Sequence, residues 1–266
     1  MIKAKQKIQI HMDTVLQPEK KRFSFQKGVI FLLLFFHFSL GFSVAQQLSG
    51  SYSIGVSGDY STFSDAVSAL TTNGISGPVI FDVQSGTYTE QVVLGAIAGA
   101  SETNTITFQS QSGNAEDVVL QYTATGTADN YVIHFDGAEH IVLNNLKIQA
   151  LGTAYARTLH AQGAIQNITI EQCILEAPDT GVSNWERGNI VFQPTTSSSV
   201  KFLSNTILGG SIGMYYKGGT DVNYRAPGFE FRDNEVTGPY AYGVFLQYLT
   251  DAVIEGNTLT MRSSNL

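Results

Sequence analysis

Residues 199–208 read SVKFLSNTIL, and the same pattern returns in HIVLNNLKI (140–148), NITIEQCIL (167–175), FEFRDNEV (229–236) and AVIEGNTL (252–259). Each run alternates apolar with polar side chains, as a strand with one buried face does. Each also carries a polar residue just before its last apolar pair: Asn145, Gln172, Asn205, Asn234 and Asn257, separated by 27, 33, 29 and 23 residues. A constant phase with variable spacing describes a solenoid whose insertions fall in its turns. Asn tolerates the left-handed backbone of a sharp corner, and stacked amides can bond to one another as a ladder. These five residues are therefore expected to form a structural ladder at one shared corner.

Ahead of each run lies a second strand-like stretch: YVIHFDG (131–137), TLHAQG (158–163), NIVFQP (189–194), IGMYYKG (212–218) and YGVFLQY (242–248). Alternation assigns Ile133 and Phe135, Leu159 and Ala161, Ile190 and Phe192, Met214 and Tyr216, and Val244 and Leu246 to the core. An antiparallel sandwich predicts hairpin turns and no fixed phase between units. Repeats of this length, with two strand-like stretches each, instead predict an all-β chain wound as a right-handed parallel β-helix over 76–266, coil on coil at about 4.8 Å. GPVIFDVQSGTYTEQVVL and NTITFQSQSGNAEDVVLQY read as two less regular opening coils, giving seven in a rod about 34 Å long.

In 46–75 a strand leads into TFSDAVSAL (62–70), an amphipathic helix with Ser61 or Thr62 as N-cap and Gly74 beyond its end. Its Phe63, Ala66, Val67 and Leu70 are expected to cover the open first coil, as terminal caps do in solenoids. No matching cap follows Asn257, so the chain is expected to be part of a longer protein, with further coils or domains.

Residues 1–45 read as a signal peptide: Lys20, Lys21, Arg22 and Lys27, then an apolar run from Val29 to Val44, then small residues at Ser43 and Ala45. The expected destination is secretion or the cell surface, with Gln46 as the first mature residue and no membrane contact after cleavage. These 45 residues hold seven of the 15 Lys and Arg but only two of the 22 acids, leaving eight cations against 20 acids in 46–266. That balance excludes nucleic acid and anionic membrane surfaces as partners. Cys173 is the only cysteine, so no internal disulfide is possible.

Two columns alternate with the core on the first-strand sheet: His134, His160, Val191, Tyr215 and Phe245, and Asp136, Gln162, Gln193, Lys217 and Gln247. A flat face of aromatics and amides suits a sugar chain, whose apolar ring faces stack while its hydroxyls bond to amides. His134 and His160 beside Asp136 satisfy the residue types of an acid–base pair or a metal site, but without a tight ligand motif no metal and no cofactor is expected. Trp185, with Glu186 and Arg187, sits in a loop between strands, where a rigid scaffold commonly carries function. Lys217, Asp221, Tyr224 and Arg225 lie in the longest insertion, expected to close over a ligand or to be held by an ion pair.

YSIG, GDYSTFSDAVSAL, GPVIFDVQSGTYTE and ITFQS resemble the opening of the pectin lyase-like superfamily, and in particular of secreted β-helix proteins of Bacteroidetes-type bacteria. The pairing of GDYSTFSDAV with GTYTE is also similar to the start of pectin methylesterases. That resemblance implies the fold and a polysaccharide partner. The Gln-Asp pair of the esterases is absent from the sequence, as is the Asp-Asp dipeptide of the polygalacturonase-like hydrolases. The expectation is an exported module of a larger protein that interacts with polysaccharide or cell-surface glycan. The alternatives are a polysaccharide lyase or glycoside hydrolase of the same fold, and an adhesin-type stalk.

Overall fold

The computed structural model describes residues 46–263. The expected signal peptide at 1–45 lies outside the described residues. The chain is a right-handed parallel β-helix of about seven turns with a single α-helix among the described residues.

Three parallel sheets of eight, six and seven strands form its walls. The eight-stranded sheet includes Glu139–Asn144, Ala164–Glu171 and Thr196–Leu203; the seven-stranded sheet includes Lys147–Ala150, Ile174–Glu176 and Thr206–Leu208. The six-stranded sheet holds Val92–Leu94, Ile133–Asp136, Leu159–Gln162, Gly188–Phe192, Ile212–Lys217 and Tyr242–Gln247. Each of the five quoted runs, expected as one strand, is therefore two. The break falls at a residue with positive φ: Asn145, Gln172, Ser204, Asp233 and Gly256 lie between 52° and 69°. A left-handed residue swings the chain into a new direction, and the strand continues on another wall.

This corner corrects the expected ladder. Strand pairing sets Glu171 against both Asn144 and Leu203, and Ile174 against both Lys147 and Thr206. Gln172 therefore aligns with Asn145 and Ser204, while Asn205 aligns with Cys173. Asn145 and Gln172 occupy the left-handed position, whereas Asn205, Asn234 and Asn257 stand one residue later, with Asn205 and Asn234 buried. Asn205 Nδ2 donates to Asn234 Oδ1 at 2.9 Å and Asn234 Nδ2 to Asn257 Oδ1 at 3.0 Å. The same oxygens accept main-chain N–H groups: Cys173 to Asn205, Asn205 to Asn234 and Asn234 to Asn257. Each Nδ2 also reaches a carbonyl, of Ile170, Phe202 or Phe231. Asn145 and Gln172 share only an exposed contact of 3.3 Å.

The predicted inward residues of the first four stretches are buried in one continuous core, and Val244 and Leu246 pack against it half-buried. Because coils stack in register, like side chains stack too: Phe81 lies over Phe108 with centroids 4.8 Å apart and planes 18° apart. Cys173 is 1% exposed, and burial pushes its thiol up to about 12. The helix spans Phe63–Asn73 with Thr62 as N-cap, accepting from Asp65 N, and Gly74 as C-cap. Glu90 Oε1 and Oε2 accept from the N–H groups of Phe63 and Ser64, tying the helix start to the first coil.

Asn234→Ala leaves the Asn205 N–H and the Phe202 carbonyl without their buried partners, a loss of about 2–4 kcal/mol. Gln172→Ala is expected to change stability by less than about 0.5 kcal/mol. Urea unfolding of the two variants measures the difference, and equal losses would refute a ladder centred on Asn205–Asn257.

Candidate functional site

The six-stranded sheet pairs His134 with His160, His160 with Val191, Val191 with Tyr215, and Tyr215 with Phe245. This is the expected outward column. The second column is paired at Asp136 with Gln162 and at Lys217 with Gln247.

Around Tyr215 and Phe245 the face deepens into a cleft of about 480 Å³ lined by Arg157, Trp185, Glu186, Val191, Gln193, Tyr215, Phe245 and Gln247. Tyr215 and Phe245 stack at 5.4 Å and 20°, which is coil-to-coil stacking carried to the outside of the sheet. Trp185 sits edge-on to Tyr215 at 4.9 Å, and Tyr242 lies 5.5 Å from Phe245 and 6.2 Å from Trp185. Trp185 is 46% exposed and Tyr242 47%, so two apolar ring systems of this cluster face solvent. Tyr215 Oη donates to Gln247 Oε1 at 3.0 Å, and burial raises its phenol above the usual range.

Trp185 is held by its turn. Trp185–Arg187 is a single 3-10 turn capped by Asn184, whose Oδ1 accepts from Glu186 N at 2.8 Å. Asn184 N in turn donates to Ser211 Oγ. The Glu186 carboxylate accepts from Arg157 Nη2 at 3.0 Å and Asn130 Nδ2 at 2.9 Å, while its carbonyl accepts from Asn130 Nδ2 and Ala156 N. Two preceding coils and one following coil thus clamp the turn. Arg187 points elsewhere, its Nη1 donating to Thr180 Oγ1.

The histidines lie further along the same face. Their rings lie tilted at 35° with centroids 4.9 Å apart, with Tyr131 a further 4.9 Å from His134. His160 Nδ1 is 3.0 Å from the Val191 carbonyl, so Nδ1 carries the proton and Nε2 a lone pair. Burial pushes His160 down to about 4, helped by Arg157 and His134 and opposed by the Val191 bond. Burial also lowers His134, against the pull of Asp136. His134 Nε2 is buried without a hydrogen-bond partner. Among the described residues no group of three or more His, Cys, Asp or Glu is placed to hold a metal ion.

Of the residues singled out from sequence, Trp185, Gln193, Tyr215, Phe245 and Gln247 meet in the cleft. His134, Asp136, His160 and Gln162 lie on neighbouring coils outside its lining, and Lys217 lies over the Tyr248 ring at 5.6 Å. No ion pair joins the 218–225 insertion among the described residues: Arg225 Nε donates to the Val222 carbonyl, and Asp221 accepts from Asn223 N. Arg157, Tyr242 and Asn130 escaped the sequence reading. Asn130 and Arg157 stand two or three residues before a strand of this sheet, as Glu186 does, and that shared offset is the signal that marks them.

No family model and no curated protein matches the chain. Among solved structures the chain is similar to the pectin methylesterase from Aspergillus niger. Its penultimately deglycosylated form, with an N-acetylglucosamine stub, matches at 14% identity over 83% of this chain and 88% of that one, with a TM-score of 0.35. Its deglycosylated form matches at 13% over 80% and 87%, with a TM-score of 0.36. The fold itself rests on the strand registers.

A histidine held below its unfolded value removes stability as pH falls, because the unfolded chain takes up the proton first. The protein is therefore expected to lose stability between about pH 6.5 and 4 through His160. In His160→Gln this slope should flatten in thermal melts across that window. A slope unchanged by the substitution would show that His160 is not the group responsible.

Proposed function

We propose that this chain is a polysaccharide-interacting module that works outside the cytoplasm, and that the Trp185 cleft is where the sugar chain lies. The observation that carries this reading is the ring cluster of Trp185, Tyr215, Tyr242 and Phe245, half-open to solvent and bordered by the amides of Gln193 and Gln247. Apolar faces with amides at their edges match the two kinds of surface on a sugar ring. Open coil-on-coil stacking also extends the face along the rod, so a polymer rather than a single sugar fits it.

Export is supported by the charged, apolar and small-residue plan of 20–45. Asp136 and Gln162, both exposed, offer further contacts along the same face. A hydrolytic reading needs two carboxylates flanking one bond, and the cleft lining supplies Glu186 alone, already engaged by Arg157 and Asn130. Binding is therefore the reading that the geometry favours.

A glycan array on residues 46–266 should find a polysaccharide ligand. Trp185→Ala should weaken it at least tenfold, about 1.4 kcal/mol, with an unchanged melting temperature, measured by titration calorimetry. Unaltered affinity in that variant would remove the cleft from consideration.

A further inference from the structure

Resting on that reading, we infer that the cleft selects an uncharged sugar chain and that Glu186 sets this selectivity by cancelling the charge of Arg157. Arg157 is the only cation lining the cleft among the described residues, and it is always protonated. Left free, it would be the natural partner of a carboxylate, as a planar fork of donors. It is not free: Nη2 bonds Glu186 at 3.0 Å, its side chain is 11% exposed, and Asn130 fixes the same carboxylate from another coil. The two charges enter the cleft as one neutral pair.

Among the described residues no other cation lines the cleft to replace it. Arg187 turns away to Thr180, and Lys217 lies over Tyr248 outside the lining. The surrounding chain, with eight cations against 20 acids over 46–266, repels a polyanion further. What remains at the contact surface is apolar rings and amides, which bond hydroxyls and offer a carboxylate no counter-charge. An anionic sugar would have to leave water for a site whose positive charge is already matched.

Glu186→Gln tests this. The amide keeps the size of the side chain and can still accept from Arg157, but leaves that guanidinium uncompensated. Trp185 is the only tryptophan in the chain, so its fluorescence reports the cleft directly. Titrating the protein with neutral hexasaccharides (cello-, xylo-, manno- and galactohexaose) and with hexamers of galacturonate, mannuronate and glucuronate separates the possibilities. The expected result is a response to at least one neutral hexamer, insensitive to salt, with uronates at least tenfold weaker. In Glu186→Gln, uronate binding should rise at least fivefold and become salt-dependent. Uronates bound by the unaltered protein as tightly as neutral chains would overturn the selectivity and leave the binding cleft standing. A Glu186→Gln protein that still melts cooperatively, even at a lower temperature, but gains no uronate binding would overturn the role of Glu186. A Trp185 signal that answers to no hexamer would overturn the binding reading itself.

Discussion

The repeated coils of this protein turn a corner inside a packed wall, and at Cys173, Asn205 and Asn234 the N–H group just past the corner must find an acceptor there. Burying such a group unpaired costs on the order of 1–3 kcal/mol at each of these three corners. The chain meets the demand with two adjacent residues. One takes the left-handed backbone and redirects the strand; the next sends an amide inward whose oxygen accepts from the coil below and whose nitrogen bonds a carbonyl. Asn205, Asn234 and Asn257 do this in succession. Register between coils follows from it, because a slip of one residue would exchange the inward amide with the corner residue.

Register in turn creates the outer face. Side chains alternate on a strand, so a coil stacked in phase places like residues above one another on both sides of the wall. Inside, the result is a column of phenylalanines; outside, it is the stack of Tyr215 on Phe245. The same geometry that packs the core thus builds a flat aromatic surface. The loop turn bearing Trp185 then gives that surface depth. Polar ties from Asn130, Arg157 and Ser211 fix the turn against the coils on either side, so the ring is preorganised rather than folded onto a ligand.

The period-two alternation made the inward and outward columns legible: His134, His160, Val191, Tyr215 and Phe245 follow from counting alone. The corner was harder. In SNT, DNE and GNT two adjacent polar or small residues compete for one place, and in NNL and EQC the amide falls on the other of the two. Only main-chain pairing decides which residue faces in. The cleft was half legible, since Trp185, Tyr215 and Phe245 announce themselves as aromatics on one face. Arg157 and Asn130 do not, because what makes them matter is a carboxylate 29 and 56 residues away, brought near by loops of unequal length.

Cys173 stands where the next three coils have an asparagine, its N–H bonded to Asn205 and its sulfur sealed beneath the Leu143 carbonyl. A thiol kept fully protonated at neutral pH and shut away from solvent reacts with neither oxidants nor other thiols at any useful rate. Copies of the protein therefore cannot crosslink through it without unfolding. The thiol–disulfide balance of the surroundings has no handle on the native fold.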